Sequence, residues 1–291
     1  MHIVNTISEL RQTIGAWRSA GQRIALVPTM GNLHSGHLAL VNEAKNQADR
    51  VVVSIFVNPT QFGAGEDFET YPRTEDEDQQ KLNACDADLL FQPAVSAVYA
   101  QDAKTLVSVT GLSEKYCGAF RPGHFDGVAT IVCKLFNMVQ PDIALFGLKD
   151  FQQLTVIRAM VRDLNIPIEI VGVETVREAS GLAMSSRNGY LTAEEKIVAA
   201  KLYQSLRVAH DAVLAGHQSY QEIERNASLF LQESGFQPDY FNVCRMSDLK
   251  KTDTDDVELV LLTAARLSKT RLIDNICFSK PPLLSKGKTD S

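Results

Sequence analysis

In the first half of the chain, short runs of apolar, largely β-branched residues alternate with longer stretches whose apolar positions recur at three- and four-residue spacing. The short runs predict strands at residues 23–28, 50–57, 88–91, 142–147 and 168–173. Val51, Val52, Val53, Ile55, Phe56 and Val57 are nearly continuous, which is the signature of a strand buried on both faces. The longer stretches predict helices at 7–20, 36–48, 74–84, 127–138 and 151–164. Strands alternating with crossover helices imply an α/β class, with residues 1–175 forming a doubly wound, Rossmann-like parallel sheet.

Beyond residue 173 the pattern changes. Residues 177–191 lack periodicity and are rich in small and polar residues, as a functional loop would be. Thr192 followed by Glu195 is a capping box that leads into Leu202, Leu206, Ala209 and Val213 at helical spacing. A second box, Ser219 to Glu222, opens a helix expected to stop at Gly235. Residues 240–246, 258–265 and 271–276 read as three connected strands. Residues 176–277 are therefore expected to form a smaller C-terminal α+β domain with an antiparallel sheet, and 278–291 a disordered tail.

Composition narrows the function. With 45% hydrophobic and 22% charged residues among 291, the chain is an ordinary globular sequence. A formal charge of -6 gives no basic footprint for nucleic acid or an anionic membrane surface, so a small-molecule partner is expected. The five cysteines are odd in number and widely separated, without a C-x-x-C pair, and read as reduced thiols. The start lacks the layout of a signal peptide and no stretch is long enough to span a bilayer, so the expected location is cytoplasmic.

The first chemical signal is Pro28-Thr29-Met30-Gly31-Asn32-Leu33-His34-Ser35-Gly36-His37, lying between the first buried strand and an apolar-periodic helix. Open α/β sheets bind ligands at the carboxyl ends of strands, and a helix N-terminus there offers N–H groups to phosphate oxygens. His34 and His37, three apart, face one side and can donate to charge building on a triphosphate. Gly36 lets a nucleotide approach the backbone. A bare H-x-G-H string is as well read as a pair of surface or capping histidines, but its position favours phosphate chemistry. A zinc site is the weaker reading, since no third ligand stands nearby.

H-x-G-H after a first strand is typical of the nucleotidyltransferase superfamily. The chain also carries Phe56-Val57-Asn58-Pro59-Thr60-Gln61-Phe62, Tyr71-Pro72-Arg73, Arg121-Pro122-Gly123-His124-Phe125-Asp126-Gly127-Val128, Phe146-Gly147-Leu148-Lys149-Asp150-Phe151-Gln152-Gln153 and Gly181-Leu182-Ala183-Met184-Ser185-Ser186-Arg187-Asn188. In that order they resemble the pantothenate synthetase family, from about residue 3 to Arg271-Leu272-Ile273-Asp274-Asn275. The resemblance implies ATP-dependent condensation of pantoate with β-alanine. The pantoate carboxylate attacks the α-phosphate of ATP, pyrophosphate leaves, and the amine of β-alanine displaces AMP from pantoyl adenylate. It also implies magnesium accompanying ATP, a homodimer, and closure that shields the adenylate from water.

By the same resemblance, His34, His37, Lys149 and Arg187 are the catalytic candidates. ATP is expected against Met30, Gly31, Asn32, Leu33, His34, Ser35, Gly36, His37, Gly147, Leu148, Lys149, Asp150, Val176, Met184, Ser185, Ser186 and Arg187, with Asp150 accepting from ribose hydroxyls. Gln61 and Gln153 are the polar pantoate candidates, with Met30 and Phe62 as an apolar wall. Gln61, Asn58, Arg121 and His124 are the candidates for β-alanine, with pyrophosphate as the alternative ligand of Arg121 and His124. Asn58 also fits a plain turn residue, and Cys117 fits an idle thiol better than a nucleophile. The run Glu75-Asp76-Glu77-Asp78 reads as the acidic first turn of a helix rather than a metal site.

Two positions depart from the family. Leu148 stands where glutamate is usual, and Ser180 where aspartate is common. The competing readings are a nucleotidylyltransferase acting on a phosphate acceptor and a nucleotide-binding module that has lost catalysis.

Overall fold

A computed structural model describes residues 1–63, 65–253 and 255–281. It divides into two compact units, residues 1–178 with 184–188, and residues 179–183 with 189–291.

In the first unit the elements run β1 (His2–Val4), α1 (Ile7–Ser19), β2 (Ile24–Thr29), α2 (Ser35–Gln47), β3 (Arg50–Ile55), α3 (Glu75–Ala84), β4 (Leu89–Phe91), the short turns α4 (Val95–Val98) and α5 (Cys117–Phe120), α6 (His124–Val139), β5 (Ile143–Gly147), α7 (Phe151–Asp163) and β6 (Glu169–Val173). All pairings are parallel, in the order β1-β4-β3-β2-β5-β6. Successive strands grow outward from β2 on one side and from β5 on the other, so the topology reverses between them. This is the doubly wound sheet expected, and its switch point lies at the carboxyl ends of β2 and β5.

Both faces of the central strands β2, β3, β4 and β5 are buried, as the unbroken apolar runs require, whereas the edge strands β1 and β6 are partly exposed. Ala25, Val27, Val51, Val53, Leu90, Ile143 and Leu145 pack with Leu40 and Val41 of α2 and Leu82 of α3. Residues of the opposite parity, Ile24, Leu26, Val52 and Ala144, are equally inaccessible, and α6 and α7 contact β2 and β5. The strand β1 escaped the sequence reading because three residues are too few to show a period. It is held by pairing His2–Val4 with Leu89–Phe91.

The second unit contains α8 (Ala193–Ala199), α9 (Lys201–Ala215), α10 (Tyr220–Glu233) and an antiparallel sheet of β7 (Gln237–Arg245), β8 (Glu258–Leu267) and β9 (Thr270–Ser279). Both capping boxes form: Thr192 Oγ1 accepts from Glu195 N and Ser219 Oγ from Glu222 N. The helix after Thr192 is interrupted at Ala200, giving two helices where one periodic stretch was read. Gly235 takes φ +92, the left-handed conformation that ends a helix. The tail expected from residue 278 needs correction at its start. Phe278 and Ser279 continue β9, with Phe278 paired to Leu259, its ring 4.7 Å from that of His210, and Ser279 Oγ donating to Glu258 Oε1 at 2.6 Å. Residues 282–291 lie outside the described residues. Among the described residues no helix is long and apolar enough to cross a membrane.

Candidate active site

The turn after β2 carries the two histidines into the first turn of α2. His34 is the N-cap of that helix, and its Nδ1 accepts the Gly36 N–H at 3.1 Å. His37 Nδ1 accepts the His34 N–H at 3.3 Å. An imidazole that accepts at Nδ1 while neutral must carry its proton on Nε2, so both rings keep a donor for something else. Burial holds them neutral: His34 is lowered to about 4, first by desolvation and then by Lys149, and His37 is lowered well below the usual histidine range by the same desolvation with His34 and Lys149 adding to it. The rings lie 4.0 Å apart. Capping, one of the plain readings of H-x-G-H, is therefore what orients these donors.

The turn itself is held from α3. Asp78, only 1% exposed, accepts the N–H of Asn32 at 2.8 Å on Oδ2 and that of Leu33 at 2.7 Å on Oδ1. Lys81, one turn on, donates to Leu33 O at 2.9 Å. Asn32 sits at φ +49 and Gly31 at φ +81, so this tight turn relies on outside support. The acidic run at 75–78 does open a helix as expected, but Asp78 has a separate role that composition alone does not reveal.

A cavity of about 240 Å³ opens at the switch point, lined entirely by the first unit. Met30, His34, Gly36, His37, Asn58, Gln61, Phe62, Arg121, His124, Gly147, Lys149, Asp150, Gln153, Val176, Met184, Ser185, Ser186 and Arg187 all reach it. Residues some 150 positions apart thus converge, because β2, β3 and β5 end side by side. The 184–187 segment is tied to the histidine turn, with Ser186 Oγ donating to Asn32 O at 3.1 Å.

Five expected nucleotide contacts, Gly31, Asn32, Leu33, Ser35 and Leu148, are not on the cavity wall. Leu33 is buried in the core at 2% exposure, and the Asn32 side chain donates to Ser186 O. Leu148 is turned toward the sheet, where a Cβ on Gly172 would lie 2.9 Å from Leu148 Cδ2. The adjacent glutamines also part ways: Gln153 faces the cavity, whereas Gln152 is buried and bonds Cys117 N, Leu112 O and Lys115 O. Their shared amide chemistry conceals this difference in the sequence.

The arginines carry partners the sequence did not indicate. Arg121 forms a two-point ion pair with Glu66 at 2.7 and 2.6 Å, and Arg187 one with Asp67 at 3.0 and 2.8 Å. Burial alone would raise both carboxyls, but the guanidinium partners outweigh it and leave each below its usual value. His124 Nδ1 donates to Gln61 O at 2.8 Å and Nε2 meets Arg121 at 3.0 Å, while burial first and Arg121 second lower this imidazole to about 4. Tyr71 and the apolar residues Val128, Ile131 and Leu135 of α6 also line the cavity. The sequence placed these α6 residues in a predicted helix without giving them a part in the site.

Residues 2–277 match the Pantoate-beta-alanine ligase family model. Pantothenate synthetase of Methylococcus capsulatus is 56% identical over 281 residues, covering 96% of this chain and 98% of that protein, and the Shewanella loihica enzyme is 54% identical over 282. Among solved structures, a pantothenate synthetase from Thermus thermophilus superposes with a TM-score of 0.90 at 43% identity, covering 97% of this chain and all of the other. The Francisella tularensis pantoate-beta-alanine ligase, described as complexed with beta-gamma ATP and beta-alanine, gives 0.81 at 33% identity, over 95% and 97%. With a matching fold, a cavity where the fold places ligands, and relatives of this identity along nearly the whole chain, the protein belongs to the pantoate-beta-alanine ligase family and is a ligase.

Proposed function

We propose that the cavity at the β2/β5 switch point activates pantoate with ATP as pantoyl adenylate and passes the acyl group to β-alanine, giving pantothenate, AMP and pyrophosphate. The observation that carries this reading is the pair of neutral imidazoles, each with Nδ1 occupied by a backbone N–H and Nε2–H left as a donor, beside Lys149 in one cavity. Negative charge grows on the α-phosphate and on the leaving pyrophosphate during attack. Fixed donors and a lysine stabilise it without reorganising. Ser185, Ser186 and Arg187 extend that donor set, with Arg187 exchanging Asp67 for phosphate oxygens. Gln61 and Gln153, beside the apolar Met30 and Phe62, suit the hydroxyls, carboxylate and dimethyl group of pantoate. Arg121 and His124 suit the carboxylate of β-alanine, with Arg121 exchanging Glu66 for it.

Among the described residues there is no group of three or more histidine, cysteine or acidic side chains that could hold a metal. That fits a magnesium ion carried mainly by the nucleotide's phosphates and water, where it would supply charge neutralisation. The second unit, residues 179–183 with 189–291 rather than the whole of 176–277, acts as the lid-like domain, and the protein works as a cytoplasmic homodimer. The reduced state of the five cysteines accords with a reducing compartment.

The test is ATP–pyrophosphate exchange with magnesium. Exchange that requires pantoate, followed by AMP release on addition of β-alanine and lost in His37→Ala, is the expected outcome. Exchange indifferent to pantoate would overturn the assignment.

A further inference from the structure

Gln61 reaches the cavity with its amide in a defined orientation, and the reason can be followed outward through buried groups. The carbonyl of Gly127 can only accept a hydrogen bond, so the Asn58 side chain must turn Nδ2 toward it, at 3.1 Å. Asn58 Nδ2 also donates to Gln61 Oε1 at 3.1 Å. Gln61 Oε1 is thereby occupied and Nε2 points the other way, where its neighbour is Met30 Sδ at 3.0 Å, a weak acceptor. A flipped Gln61 would set one NH2 group against another.

The opposite end of Asn58 is fixed just as firmly. Its Oδ1 accepts from Tyr99 Oη at 2.9 Å and Thr60 Oγ1 at 3.0 Å. Asn58 is 1% exposed, so an unpartnered Oδ1 has no water to turn to. The close approach behind this relay depends on Gly127, where a Cβ would lie 2.4 Å from Thr60 O and 2.7 Å from Gln61 Cα.

We propose that Tyr99 and Thr60 are positioning residues for pantoate recognition, acting through Asn58 to hold the Gln61 amide with its N–H groups toward the cavity. This rests on the reading of Gln61 as a pantoate contact. A carboxylate is an acceptor only, so it is bound by Gln61 in this orientation and repelled by the reverse one, whereas hydroxyls tolerate both. Binding of ATP at the histidine turn does not pass through this relay.

The test compares Tyr99→Phe, Thr60→Val and the double variant with the wild type in pantoate-dependent ATP–pyrophosphate exchange, with folding followed by the fluorescence of Trp17. From the net worth of one buried hydrogen bond, KM for pantoate should rise about 2- to 10-fold in each single variant. In the double variant it should rise by more than the product, because either hydroxyl alone can still satisfy Oδ1. KM for ATP should stay within about twofold. The single variants carry the test if the double one does not fold. An unchanged pantoate KM in the folded variants, or a parallel rise in both constants, would overturn the inference. A wild type without pantoate-dependent exchange would instead remove the functional reading and this inference with it.

Discussion

Asp78→Asn isolates how the histidine turn is held. The aspartate accepts two backbone N–H groups through separate oxygens at 2.7 and 2.8 Å and is almost wholly buried. Asparagine keeps one acceptor and turns an NH2 group toward the other N–H, leaving that donor unsatisfied at a cost of about 1–3 kcal/mol, while the remaining bond loses its charge assistance at about 1 kcal/mol. Relief from burying a carboxylate offsets part of this, so a net destabilisation of about 2–3 kcal/mol is expected. For a unit of this size that lowers the unfolding midpoint by roughly 4–12 °C. The single tryptophan, Trp17 in α1, lies in the first unit and beneath the Arg50 guanidinium, so its fluorescence reports that unit. Because His34 and His37 hang from the same turn, pantoate-dependent exchange should fall with it. A midpoint within 1–2 °C of wild type (less than about 1 kcal/mol) together with an undiminished exchange rate would refute the role given to Asp78.

Gly127→Ala should be severe, since its methyl group meets backbone rather than a yielding side chain at 2.4 Å. A loss of about 1–3 kcal/mol or more is expected in urea unfolding, with pantoate KM rising as the carbonyl withdraws from Asn58. The pH dependence of stability follows from the buried imidazoles. His34 and His124 titrate near 4 when folded and near the ordinary 6.5 when unfolded, so the unfolded chain binds more protons between those values. Stability should hold above about pH 6.5 and decline as pH falls from there toward 4, by up to about 1.4 kcal/mol per pH unit for each imidazole, checked by urea midpoints at pH 7.5 and 5. A flat profile across that window would contradict the burial argument.

Much of this protein is local, and locality is what a sequence can show. Strands buried on both faces, the capping boxes at Thr192 and Ser219 and the helix stop at Gly235 are each set by residues within a few positions of one another. The H-x-G-H turn and its motif partners likewise pointed to one site, because the strand ends that carry them are themselves legible. What only the tertiary structure decided lies in contacts between distant positions. Asp78 holds a turn 46 residues away, and Asn58 takes its orientation from Gly127, 69 residues on. Arg121 and Arg187 are paired with Glu66 and Asp67. Gln152 and Gln153, chemically identical neighbours, are divided because successive side chains of α7 point about 100° apart around the helix. Periodicity determines which face of an element is buried, but not which buried polar groups will meet across the core. That depends on how closely the elements approach, and at Gly127 the absence of a single Cβ decides it.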